Sequence, residues 1–156
     1  MDDDPMEIDL VMLKNAKELA CVDGQIEGVD IQTLIDPCSN ISIMREEECE
    51  KFSFEIDVTK RYNLVGVSTK YKSLGTVKNI SVTLKPESVV IKEDFAIVGN
   101  YPHREIILSR PCLRRYNYDL HESREHVAIT CDGKNFFILI VSDRNRSKKE
   151  EDTASV

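Results

Sequence analysis

An aspartate that ends an apolar strand is the first residue of this chain whose placement could do chemistry. The stretch Val22-Asp23-Gly24-Gln25-Ile26-Glu27-Gly28-Val29-Asp30-Ile31-Gln32-Thr33-Leu34-Ile35-Asp36-Pro37-Cys38-Ser39-Asn40 reads as a strand, a turn at Glu27-Gly28, a second strand finishing at Leu34-Ile35, and an acid at its tip. A carboxylate backed by apolar neighbours at the mouth of a barrel is where a shifted pKa becomes useful. Taken alone, the segment favours something plainer, since Asp followed by Pro is commonly a turn. A second segment, Glu105-Ile106-Ile107-Leu108-Ser109-Arg110-Pro111-Cys112-Leu113-Arg114-Arg115-Tyr116-Asn117, supplies an apolar strand, a small residue, an arginine and a short helix ending near a tyrosine.

Other chemistries find less support. His103, His121 and His126 make no metal-ligand spacing with the cysteines, and packing or surface roles are the commoner fate of such histidines, so no metal or other cofactor is expected. Cys38 beside Asp36 suggests a thiol nucleophile, yet no histidine lies near it in sequence. No phosphate-binding loop of the G-x-x-x-x-G-K-S/T type is present. Cys21, Cys38, Cys49, Cys112 and Cys131 are odd in number and widely spaced, which fits reduced thiols better than a disulfide framework or a zinc cluster. A net charge of -7 argues against a nucleic-acid backbone as partner, and the one basic cluster, Arg110, Arg114 and Arg115, is short. No run of about 18 apolar residues is available to span a membrane. The opening Met1-Asp2-Asp3-Asp4 has the wrong charge for a signal or transit peptide, so an intracellular, cytoplasmic protein is the expectation.

The elements that must position Asp36 follow from the apolar pattern. At 156 residues the chain has room for one domain with a real core. Residues 1–17 form an acidic segment whose Met6, Ile8, Leu10, Leu13 and Ala16 have a loose helical spacing. Residues 18–142 carry the dense pattern. Residues 143–156 are a polar tail that buries nothing and reads as disordered. Phe52, Phe54, Ile56 and Val58 alternate with polar residues, as do Ile80, Val82 and Leu84, and both runs predict strands. Val89-Val90-Ile91 and Phe95-Ala96-Ile97-Val98 are two apolar runs split by Lys92-Glu93-Asp94. His126 to Cys131 and Asn135 to Val141 flank Asp132-Gly133-Lys134, a hairpin signal. Short helices are expected around Ile43 to Lys51 and around Pro111 to Tyr116. Many short strands with few helices predict an all-β barrel or sandwich.

Together the two segments resemble the retropepsins, the retroviral-type aspartic proteases, especially those of long-terminal-repeat retrotransposons. In that family the catalytic strand reads apolar-apolar-Asp-Thr/Ser-Gly-Ala/Ser, and apolar-Leu-Gly-Arg-x-x-Leu comes later, before a short helix. Leu34-Ile35-Asp36-Pro37-Cys38-Ser39 is similar to the first motif and Ile107-Leu108-Ser109-Arg110-Pro111-Cys112-Leu113 to the second. Their separation fits, as does Phe95-Ala96-Ile97-Val98 before the second motif. The resemblance runs from about Leu19 to Val141.

It implies an all-β, closed retropepsin-like barrel, half of a two-fold aspartic protease, with one or two short helices. It also implies a homodimer, because one chain brings one catalytic Asp36 and the chemistry needs two carboxyls sharing a proton. The substrate would be a peptide or polyprotein, approached by Cys38, Ser39 and a flap. The flap would run through Tyr62 to Tyr71, with Gly66 at its tip and Gly75-Thr76-Val77 starting the return. Arg110 would tie the short helix to the catalytic strand. Three letters depart from the pattern. Pro37 brings neither the hydroxyl nor the N–H that locks the two catalytic loops together. Cys38 and Ser109 stand where the family has glycine. They point to impaired catalysis, and the alternative is an inactive protease-fold module that binds peptide or dimerises.

Overall fold

The computed structural model describes residues 6–9, 19–65, 70–121 and 125–141. In chain order its elements are β1 (Met6–Asp9), β2 (Ala20–Ile26), β3 (Val29–Ile35), β4 (Ile43–Arg45), α1 (Glu46–Cys49), β5 (Tyr62–Val65), β6 (Lys70–Leu84), β7 (Val89–Val98), β8 (Ile106–Leu108), α2 (Arg110–Arg115), β9 (Asp119–His121), β10 (His126–Cys131) and β11 (Lys134–Leu139). Strand pairing runs β6-β2-β3-β8-β4-β7, and β7 returns to β6, so six strands close into a barrel. A closed ring leaves no unpaired edge in the wall that holds the core. The all-β barrel and the two short helices agree with the expectation. No helix among the described residues is long and apolar enough to cross a membrane.

Two tight turns set the register at either end. Glu27 and Gly28 both have positive φ, 49° and 78°, between β2 and β3, and Asp132 and Gly133 repeat this at 51° and 77° between β10 and β11. Positive φ at both central residues is the turn whose twist matches paired strands. The long strand β6 has register irregularities between Ser73 and Gly75 and between Val77 and Ile80. Such bulges let one strand serve first as a hairpin arm against β5 and then as barrel wall against β7.

Burial explains why Leu34-Ile35 and Ile106-Ile107-Leu108 are apolar without alternation. Ile35, Ile97, Ile106 and Leu108 point into the main core with Val22, Phe95 and Leu113. Leu34, Val98 and Ile107 belong instead to a second apolar cluster with Leu19, Cys21, Ile43, Leu64 and Tyr101. At this end of the barrel the wall is covered on both faces, which strands show as continuous apolar runs. Each such fully buried side chain contributes about 1.5–3 kcal/mol.

Four expectations are corrected. Where helical spacing was expected in the N-terminal segment, Met6–Asp9 form β1, whose backbone pairs with the outer edge of β5, while Leu10, Leu13 and Ala16 lie outside the described residues. Ile43-Met44-Arg45 form β4 rather than the start of a helix, because their backbone is taken by β7 and β8, and α1 is confined to Glu46–Cys49. Phe52, Phe54 and Ile56 do alternate in burial and pack on the core, but no strand forms there. Only Asp57 bridges to Thr76, so the run covers the barrel by side chains alone. The two runs of residues 89–98 are a single strand, β7, with Glu93 in its inward phase.

Candidate functional site

Asp36 stands one residue past β3. Its N–H donates to Leu108 O on β8 at 3.2 Å, so the parallel β3–β8 pairing continues up to the acid itself. The chain then folds back on the carboxyl. Cys38 N–H donates to Asp36 Oδ1 at 3.0 Å and Ser39 N–H donates to Asp36 O at 3.2 Å. Ser39 Oγ donates to Ile41 O at 2.7 Å, which fixes the exit of the loop. Arg110 N–H donates to Ser39 O at 2.9 Å, joining the first turn of α2 to this loop.

The carboxyl is 1% exposed, and its Oδ2 has no hydrogen-bond partner among the described residues. Burial raises its pKa above the ordinary 3.8, while the backbone N–H groups of Cys38 and Ser39 pull the other way. Burial dominates because only one of the two oxygens is held by donors.

Aromatic residues sit beside it. Tyr101, 3% exposed, lies in the second apolar cluster, and its hydroxyl also has no partner among the described residues. Burial lifts its phenol well above the usual range, with Tyr71, Asp36 and Glu105 adding to the effect. Tyr71, on the β6 arm of the β5–β6 hairpin, meets the Tyr101 ring edge-on at 5.2 Å, and His103 meets it on another side at 5.3 Å. The hairpin arm is thereby packed against the wall that carries Asp36.

Behind the Asp36 loop lies a buried polar cluster centred on Glu93. Ser42 Oγ donates to Glu93 Oε2 at 2.7 Å, and Ser109 Oγ reaches the same oxygen at 3.3 Å. Arg115 pairs with Glu93 Oε1 at 2.9 Å, and Ser109 N–H donates to Ser42 Oγ at 2.9 Å. Ser109 also caps α2, its Oγ accepting from Cys112 N–H at 3.3 Å. One inward carboxylate on β7 thus joins the residue before β4, the residue between β8 and α2, and α2 itself. Sequence reasoning misses Glu93 because the polar run Lys92-Glu93-Asp94 reads as a break between two apolar runs. The signal was its phase: Val89, Ile91, Glu93 and Phe95 share one face of β7.

The expected site residues fall as follows. Asp36, Pro37, Cys38 and Ser39 form the loop just described, with Ser39 fully buried and Pro37 and Cys38 half-buried. Ser109 directs its hydroxyl to Glu93 and the helix. Arg110 is exposed, and its tie to the loop is made by its backbone. A hairpin is present with arms Tyr62–Val65 and the start of β6, but its return begins at Lys70 rather than at Gly75-Thr76-Val77, so Tyr71 lies on the returning arm, where it pairs with Leu64. Gly66 lies outside the described residues, as do residues 143–156. No group of three or more His, Cys, Asp or Glu side chains converges to hold a metal among the described residues.

The sequence matches no family model and no curated protein. Among solved structures, the chain is similar to the retroviral protease-like domain of Ddi1 from Leishmania major, with a TM-score of 0.63 and 16% identity. The match covers 81% of this chain and 96% of that one. At such identity the likeness is one of fold: the chain has a retropepsin-like barrel.

Proposed function

We propose that the chain is a retropepsin-like aspartic endopeptidase acting as a homodimer, with Asp36 from each copy forming the catalytic pair. The supporting observation is the Asp36 carboxyl itself: at the strand tip, buried, one oxygen held by Cys38 N–H and the other without a partner among the described residues. A buried, unpartnered carboxylate oxygen costs about 1–3 kcal/mol or more. A second carboxyl sharing one proton across a two-fold axis would satisfy it. The upward pKa direction suits a group that keeps a proton in such a pair. In the reaction, the ionised member takes a proton from water as the water attacks the peptide carbonyl. The protonated member donates to the developing oxyanion. The two titrate as a pair, not as separate residues. The substrate class is an extended peptide or polyprotein, and carboxyls and water suffice for the chemistry.

A non-catalytic module that binds peptide or dimerises is the second reading. It is favoured by the 1% exposure of Asp36, since a carboxyl closed off from solvent activates no water in the single chain. Pro37, which has no N–H and no hydroxyl to lock one loop to its partner, points the same way.

The deciding measurement is cleavage of a peptide library at mildly acidic pH, with and without a pepstatin-like inhibitor, by the chain and by Asp36→Asn. Cleavage that is inhibitor-sensitive and absent in Asp36→Asn supports the peptidase. Cleavage that persists in Asp36→Asn sinks it. Peptide binding without any cleavage selects the second reading.

A further inference from the structure

The outer edge of β5 is occupied by the chain's own N-terminal segment, and the pairing is of an exchangeable kind. Met6, Glu7, Ile8 and Asp9 run parallel to Tyr62, Asn63, Leu64 and Val65, residue for residue. β1 is the last strand of its sheet, and on that side β5 has no other neighbour among the described residues. A four-residue parallel pair at a sheet edge is among the weaker backbone pairings. Remove it, and β5 presents a row of open N–H and C=O groups to any extended peptide.

Charge identifies the kind of peptide. Residues 1–9 contain Asp2, Asp3, Asp4, Glu7 and Asp9 and no base. Residues 60–72, which span the hairpin, contain Lys60, Arg61, Lys70 and Lys72 and no acid. The edge that takes β1 therefore belongs to a uniformly basic hairpin within a chain whose net charge is -7. Opposite potentials of this kind steer association and select partners. The same hairpin packs through Tyr71, on its β6 arm, onto Tyr101, whose phenol feels the charge of Asp36.

We infer that the outer edge of β5 is a strand-accepting site for an acidic extended peptide, and that Met6–Asp9 is a tethered occupant competing with peptides from other molecules. This rests on the reading that the barrel's cleft takes peptide, and it names the class. Strand addition supplies affinity through the backbone, and charge supplies the preference. A short tether holds its segment at an effective concentration on the order of millimolar, so the unmodified chain masks the edge against weaker ligands.

The test is binding, made in the Asp36→Asn background so that cleavage plays no part. The probe is a fluorescein-labelled peptide with the sequence of residues 1–10, followed by anisotropy at low and high salt. Glu7→Pro with Ile8→Pro, in the whole chain, removes backbone donors in either phase of β1 and releases the edge. The released chain is expected to bind the probe at least tenfold more tightly than the unmodified chain. Binding should weaken at high salt and fail for a probe with lysine at every acidic position. Hydrogen exchange at residues 62–65 should speed up on release and slow again when probe is added. Should the proline variant fail to fold, Glu7→Lys with Asp9→Lys in the whole chain is expected to shift affinity in the same direction. Equal affinity of released and unmodified chains, or no binding by the released chain, overturns the inference. Cleavage in the library assay combined with such a negative result removes this edge alone and leaves the peptidase standing.

Discussion

At the scale of single residues, Asp36 is the proposed catalytic carboxyl and the group whose burial makes stability depend on pH. Because burial raises its pKa above 3.8, the folded chain keeps that proton where the unfolded chain has released it. The stability Asp36 contributes is fully present below the unfolded pKa and is lost as pH rises through the folded one. Asp36→Asn should therefore abolish cleavage and raise Tm at neutral pH by about 2–4 °C, which is about 1 kcal/mol in a chain of this size. Little change is expected near pH 3, and an equal Tm rise at both pH values in thermal scans would refute the account. Glu93 is the second pivotal residue. Glu93→Ala strands the Ser42 and Ser109 hydroxyls and leaves Arg115 without its carboxylate. The expected loss is on the order of 2–4 kcal/mol in denaturant titration, with the ion-pair share kept small because Arg115 is half exposed. Pro37→Thr with Cys38→Gly restores a loop hydroxyl and N–H and opens room beside Asp36, and turnover should rise by at least tenfold. Ser109→Gly should not join them: it removes the α2 cap and a Glu93 contact, so it should lower stability without raising turnover.

Among the elements, what the sequence made legible was whatever depends on neighbours in the chain. The Asp132-Gly133 and Glu27-Gly28 turns, the first turn of α2 with Pro111 and the apolar strand before Asp36 all announce themselves through local chemistry. What was hidden depends on distant partners. Ile43-Met44 is a strand only because β7 and β8 flank it, and β1 only because β5 offers an edge. Phe52, Phe54 and Ile56 show the reverse, a period of two whose backbone finds no ladder. The strand-tip position of Asp36 was legible through its motif and the inward phase of Glu93 through its spacing, while Tyr101 and the partners of Glu93 became visible only once the barrel brought them alongside. Two substitutions probe the elements. Leu34→Ala, at a fully buried position on the second cluster, should cost about 2–5 kcal/mol in denaturant titration. Gly133→Ala meets no atom within 4 Å but keeps a φ of 77°, so its cost should be backbone strain alone, about 1 kcal/mol. A loss as large as that of Leu34→Ala would show that the turn also packs against something.

For the whole molecule, the proposed pair of Asp36 carboxyls ties activity to assembly. Specific activity should fall on dilution in step with the dimer fraction seen by sedimentation, and Pro37→Thr should shift that midpoint to lower concentration. A chain that cleaves while wholly monomeric would remove the two-carboxyl mechanism. The barrel has another property as a unit, in the way its strands begin and end. Val141 N–H donates to Cys21 O at 2.7 Å, and Ile140 bridges to Val22, so the path that leaves β11 passes directly beside the one that enters β2. Chain order along this barrel is therefore close to circular. A short Gly-Ser linker from residue 141 back to residue 19, with the backbone opened at Asp132-Gly133, should give a permuted polypeptide that folds to the same barrel. That rearranged molecule would lack β1 altogether and would present the β5 edge with nothing tethered nearby.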